Sequence, residues 1–258
     1  MDSASDGVYR SAVAAYEDTC SYLRWENKGI LTVPGMDAKG DMEHSDGVEK
    51  AYRLGKSLVI RIAERRVLLH MEKGKALVIG IAGGSASGKT TLCNKLAEIL
   101  EKESPKVFHM DEYFKPEELR PRVRALTGDR EYVDDNHPDT MYLQQLYEDI
   151  IRERDCGKTR IILVEGLLTL YDDAICSLLD LKLFVDCRAD ERILRRLKRN
   201  MQNGLSREEI TDVYLDTVRY RHDQYVEPSK WRADLILNGA TPSRTAMDMI
   251  VDYIRKYV

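Results

Sequence analysis

Residues 77–96 read LVIGIAGGSASGKTTLCNKL, and the fold turns on this stretch. An apolar run passes into a helical pattern, with small or flexible residues from Gly83 to Gly88 at the junction. Glycine and serine there cost conformational entropy on folding and bury little apolar surface. Packing does not justify them. Gly83, Gly88, Lys89 and Thr90 match the spacing G-x-x-x-x-G-K-S/T, between a predicted strand and a predicted helix. Such glycines let backbone N–H groups converge as a nest for phosphate oxygens, and the helix behind adds its positive end. In that role Lys89 bridges the β- and γ-phosphates and the Thr90 hydroxyl ligates Mg²⁺.

Outward from this loop, short apolar runs alternate with helical patterns. The predicted strands cover residues 76–82, 106–110, 160–165, 181–186 and 234–238. The predicted helices lie near 88–103, 141–156, 189–202, 206–223 and 243–257. Strand, helix, strand in this order predicts an α/β fold with a mainly parallel five-stranded sheet and helices on both faces. Ligands are then expected beyond the carboxyl ends of the strands. Residues 1–74 read differently, as a helical N-terminal extension. One helical piece covers YRSAVAAYEDTCSYLRW (9–25), a loop-like stretch follows, and an amphipathic pattern runs over 48–72 with Arg61, Arg65 and Arg66. The expected division is an extension over 1–74 and a phosphate-loop domain over 75–258.

Composition narrows the class. Forty basic and forty-four acidic residues give a net charge of -4, without a global field for nucleic acid or an anionic membrane. No apolar run approaches the roughly 20 residues of a membrane span, and MDSASDGVYR lacks a signal-peptide pattern. The five cysteines are scattered without a C-x-x-C pair, which argues against a zinc site or a disulfide framework. These features predict a cytoplasmic protein with no nucleic-acid or membrane partner.

Two carboxylates stand at the ends of predicted strands: Asp111 follows the second, in VFHMDEYF, and Glu165 ends the third, in ILVEGLL. At that rim a carboxylate can hold the water shell of Mg²⁺ or accept a proton from an attacking hydroxyl; helix capping by Asp111 and a plain turn at Glu165 are the alternatives. A basic cluster follows the fourth strand, with Arg192, Arg195, Arg196, Lys198, Arg199 and Arg207. Arg192, Arg196 and Arg199 share one helix face. Such groups can close on a transferring phosphoryl as a lid would, or form a solvated face.

These segments together resemble the phosphoribulokinase/uridine kinase family of P-loop small-molecule kinases, nearest to uridine–cytidine kinases. GGSASGKTT resembles the family's phosphate loop and MDEYF its QDSFY-type segment. DNHPDT is similar to FDHPDA, VEGLLTLYDD to EGILAF, and residues 181–200 to the lid-bearing stretch; YVEPSKWRADLIL resembles the segment before the last strand. The resemblance covers about 76–240. It implies ATP as donor, held by Gly83, Gly84, Ser85, Ala86, Ser87, Gly88, Lys89, Thr90 and Thr91. It implies Asp111 as the base toward a substrate hydroxyl, with Lys89, Arg196 and Arg199 on the phosphates. It further implies Mg²⁺ at Thr90 and Glu165, an acceptor near Asp111, Tyr113, Asn136 and His137, and residues 225–233 near the adenine.

Three features depart from the family pattern. Asn136 replaces the Asp expected before His-Pro. Only MYLQQLYEDIIRERDCGKTR separates Asp139 from the next strand, where the family carries a pyrimidine-reading hairpin. The lid reads QNGLSR and is poor in arginine. The expected activity is phosphoryl transfer from ATP to a hydroxyl of a small metabolite, nucleoside-like or sugar-like. Alternatives are a kinase of a non-pyrimidine acceptor and a nucleotide-binding module without transferase activity. A GTPase reading lacks its base-reading N-K-x-D in the right place. The extension could cover the acceptor site, form a homo-oligomer interface or pad the sheet edge.

Overall fold

The computed structural model describes residues 10–22, 49–51, 53, 75–125 and 129–258, in two units, Met1–Leu68 and Leu69–Val258. In the first unit α1 (Arg10–Tyr22) is helical, and the side chains from Ala12 to Thr19 are mostly exposed. Residues 49–51 and 53 are helical; the rest of the 48–72 pattern, including Arg61, Arg65 and Arg66, lies outside the described residues.

The second unit contains β1 (Leu77–Gly83), β2 (Lys106–His109), β3 (Arg122–Arg124), β4 (Glu131–Val133), β5 (Ile161–Gly166), β6 (Leu181–Asp186) and β7 (Leu235–Asn238). Five of them form a parallel sheet in the order β2-β5-β1-β6-β7. β1 and β5 are buried at every position, so both faces of the sheet's centre are covered. That is why their sequences run apolar without alternation. The edge strands β2 and β7 are more exposed.

The helices are α2 (Lys89–Ile99), α3 (Leu143–Asp155), α4 (Asp173–Leu178), α5 (Ala189–Gln202), α6 (Arg207–Val213) and α7 (Arg244–Lys256). On α3 the buried residues Leu146 and Ile150 stand one turn apart and join a core with Phe108, Val164, Leu168 and Phe184. Each such side chain contributes on the order of 2 kcal/mol by leaving water. Helix α6 starts with a capping box, Ser206 with Glu209, and continues through π-turns at Tyr214–Val218 and His222–Val226. Only Asn203, Gly204 and Leu205 separate α5 from the cap of α6, with Gly204 at φ +92°. The stretch QNGLSR, compared above with the family's lid, is therefore a capped helix–helix turn.

Two elements lie outside the sequence reading. The antiparallel pair β3–β4 aligns Val123 with Tyr132 and stands apart from the main sheet. Helix α4 is a short element capped by Asp172. Between Asp139 and Ile161 the chain forms a turn at Pro138–Thr140 and then α3, with no strand.

Candidate active site

The carboxyl ends of β1, β2 and β5 are brought level by register. Ile81 aligns with Glu165, and His109 aligns with the same Glu165 from the other side. The loop after β1 opens at this rim. Gly83 takes φ +152°, and a Cβ there would lie 2.6 Å from the Val185 carbonyl oxygen and 2.7 Å from Ser87 Oγ. Gly88, at φ +105°, is the N-cap of α2, so the first N–H groups of that helix face the loop. Ala86 is also left-handed, at φ +64°. Ser87 Oγ is buried and has no partner among the described residues. A concave backbone, a helix N-terminus and an orphaned hydroxyl fit a phosphate group. All nine residues proposed from sequence to hold ATP, Gly83 to Thr91, lie in this loop and the first turn of α2.

Across the loop, Thr90 Oγ1 lies 3.3 and 3.2 Å from the two oxygens of Glu165. Glu165 is only 2% exposed, and His109 Nδ1 sits 2.9 Å from its Oε1. This pairing of hydroxyl and carboxylate oxygens suits a hard cation such as Mg²⁺, held with phosphates and waters. Asp111 is exposed, in a one-turn helix at Met110–Tyr113 directly after β2.

Helix α5 brings its arginines to the loop. Arg192, Arg195 and Arg196 are the three that touch it or its supports, at spacings of three and four. Arg192 is buried, donates from Nε to the Cys187 carbonyl at 3.0 Å, and packs on Gly84, where a Cβ would lie 2.6 Å from its Nη1. Arg195 Nη1 donates to the carbonyls of Gly239 at 3.0 Å and Ser87 at 3.4 Å, and its other arm pairs with Glu191. Arg196 Nη1 donates to Ser85 Oγ at 3.2 Å, while its Nε is buried without a partner among the described residues. Burial first, and then Arg199, lowers the Arg196 pKa below the usual guanidinium range. Arg199 itself is exposed and bonds Asn200 Oδ1.

The residues expected from sequence to meet the acceptor are held by side chains. Tyr113 donates to Asp149 Oδ2 on α3 at 2.9 Å, and Arg152 pairs with the same carboxylate, so the phenol ties its turn to that helix. Burial, then Asp149, pushes the Tyr113 pKa up. His137 Nδ1 accepts from the Asp139 N–H at 3.1 Å, and its ring meets Tyr225 edge-on at 5.4 Å. The Asn136 N–H donates to Asp134 Oδ1 at 3.3 Å. Asp134, 1% exposed, accepts from Arg221 Nε at 2.6 Å. Arg120 lies over the Phe114 ring at 4.7 Å and donates to Asp135 at 2.9 Å. Sequence reading did not assign roles to His109, Asp134 or Arg221. For His109 the signal available was a polar side chain closing the short edge strand that precedes Asp111.

The Phosphoribulokinase / Uridine kinase family profile matches residues 78–161 and 152–246 of the chain. A uridine kinase of Brevibacillus brevis is 34% identical over 195 residues, covering 69% of this chain and 91% of that protein. A uridine kinase of Bacillus cereus is 35% identical over 202 residues, covering 71% and 95%. Among solved structures, a possible uridine kinase from Bacillus stearothermophilus gives a TM-score of 0.43 at 20% identity, over 69% of this chain and 96% of that one.

Proposed function

This chain belongs to the phosphoribulokinase/uridine kinase family of small-molecule kinases, and from that premise we propose that it transfers the γ-phosphoryl of ATP to a hydroxyl of a small metabolite, with Asp111 as base. The observation that carries this reading is Arg196. Its Nη1 bonds Ser85 Oγ beside the phosphate loop, and its Nε is buried with no partner among the described residues. A buried cation without a bonded counter-anion is costly, and a nucleotide's phosphates would supply the missing charge.

In this reading the nest from Gly83 to Gly88 binds the phosphates through backbone N–H groups, and Lys89 at the start of α2 adds a mobile cation. Thr90 and Glu165 would hold Mg²⁺, which when bound neutralises charge on the transferring group. Asp111 accepts the proton of the acceptor hydroxyl as the oxygen attacks phosphorus in line, and the leaving oxygen departs with ADP. Arg196 holds negative charge through the transfer, and Arg199 closes from solvent when the lid engages.

The acceptor is better read as a non-pyrimidine, on one observation: a turn and α3 alone fill the interval between Asp139 and β5, where the family resemblance called for a pyrimidine-reading hairpin. The test is ADP release with ATP and Mg²⁺ against uridine, cytidine, nicotinamide riboside, ribulose 5-phosphate, pantothenate, glycerate, and assorted sugars and polyols. Turnover is expected on a non-pyrimidine member. Asp111→Asn should then lower kcat about 1,000-fold with ATP affinity kept. Near wild-type turnover by Asp111→Asn would remove the base from the mechanism.

A further inference from the structure

Glu165 is the most buried carboxylate at the rim apart from Asp134, and its surroundings are apolar on the sheet side. On α2 the Cys93 thiol is buried nearby, and burial first, then Glu165, pushes its pKa up to about 12. A carboxylate in such a place needs hydrogen-bond donors to keep one orientation. Among the described residues two are present, the Thr90 hydroxyl at 3.2–3.3 Å and His109 Nδ1 at 2.9 Å. Their positions differ in kind. Thr90 is on the phosphate loop's helix and is itself a group the cation would engage. His109 is fixed by the sheet, because β2 and β5 pair it with Glu165 in register. Next to a carboxylate, Nδ1 carries a hydrogen whether the imidazole is neutral or charged.

We propose that His109 is a positioning residue for the cation site: its Nδ1–H holds Oε1 of Glu165, so that the carboxylate is already oriented toward Thr90 and the cation's oxygens before nucleotide arrives. This rests on Glu165 forming part of a Mg²⁺ site. Partners that orient metal-binding groups in this way typically change metal affinity about 10- to 100-fold when removed.

The test is calorimetric titration of the full chain with ATP and no acceptor, once in EDTA and once in excess Mg²⁺. The quantity read is the gain in ATP affinity that Mg²⁺ confers. His109→Ala is expected to bind ATP in EDTA within twofold of wild type and to lose about 10-fold of the gain. His109→Asn, with an amide donor near the Nδ1 position, should recover most of it. His109→Leu fills the space without a donor and serves in place of alanine if that variant does not fold. Glu165→Gln separates this inference from its premise. If Glu165→Gln loses the gain while His109→Ala or His109→Leu keeps it, the positioning role is wrong and the cation site stands. If Glu165→Gln keeps the full gain, the cation site falls and the inference with it. Equal losses in EDTA and in Mg²⁺, or no recovery with asparagine, would also overturn the role.

Discussion

The two sides of the rim are built by different means. The side proposed to hold the phosphate donor is backbone: Gly83 and Gly88 at positive φ, a helix N-terminus, and strands whose register brings Glu165 level with His109. The side proposed to take the acceptor is side chain: Tyr113 on Asp149, Arg120 on Asp135, Arg221 on Asp134, and Arg130, next to β4, on Asp212. A backbone site tolerates many side chains and few conformations. A side-chain site tolerates the reverse. Substitutions should therefore separate the two cleanly.

The largest effect is expected on the donor side. Gly83→Ala places a Cβ 2.6 Å from a backbone oxygen of β6, at a φ that alanine rarely adopts. The loop must shift, and its N–H groups with it. ATP affinity should fall about 100-fold or more, comparable to losing an oriented oxyanion donor. Calorimetry with ATP checks this, and binding within a few-fold of wild type would mean the nest is not what holds phosphate.

On the acceptor side the corresponding change is Arg221→Ala, which leaves Asp134 buried and without its cation. Removing one partner of a buried pair costs several kcal/mol; the Arg221 side chain is 24% exposed, so a value near 2 kcal/mol is expected. Urea unfolding should show a lower midpoint with an unchanged slope. Asp134→Asn in the same chain should restore part of the loss, since an amide is cheaper to bury than a charge. ATP affinity should stay within twofold. A large fall in ATP affinity would merge the two sides.

His222 touches both regions, so it sharpens the comparison. It lies on the helix that carries Arg221, and its ring packs where a Cβ on Gly84 would stand, beside Arg192, with Asp223 and Glu227 also facing it. Burial first, then Arg192, lowers its pKa, and its Nδ1 is buried without a partner among the described residues. The folded chain therefore resists a proton that the unfolded chain accepts. The unfolded state binds more protons below the ordinary histidine pKa near 6.5, so stability rises with pH through that region and is lost as pH falls below it. His222→Gln should flatten this part of the stability–pH curve. An unchanged slope would assign the acid sensitivity to other groups.

The same contrast explains what could be read from sequence. All five sheet strands and the helices from α2 to α7, apart from α4, follow from apolar runs and helical periodicity, because the central sheet is buried on both faces. The phosphate loop was legible because its backbone demands particular residue types. The hairpin was not: Arg-Val-Arg and Glu-Tyr-Val are three residues each, too short to show a period, and Arg130 beside β4 pairs with Asp212, 82 residues away. His109 was invisible for a related reason. Its partner lies 56 residues away, and only strand register joins them. Arg199 shows the converse, since helical spacing put it on the face of Arg192 and Arg196, yet the loop takes Arg195 instead.

The smallest effect is expected at Ala86, where two terms nearly cancel. Its φ of +64° costs an L-residue about 1 kcal/mol, which glycine would relieve. Glycine in turn loses roughly 0.5–1 kcal/mol more chain entropy on folding. Ala86→Gly should leave stability within about 0.5 kcal/mol of wild type, measured by urea unfolding. ATP affinity is the more telling readout. The loop is constrained on either side of Ala86 by the Ser87 N–H bond to the Gly84 carbonyl at 3.0 Å and by Arg196 on Ser85. If those contacts impose the left-handed turn, glycine changes nothing and affinity holds within twofold. If affinity drops severalfold while stability holds, alanine's narrower conformational range is itself shaping the nest, and the donor side is less purely a backbone construction than its other residues make it.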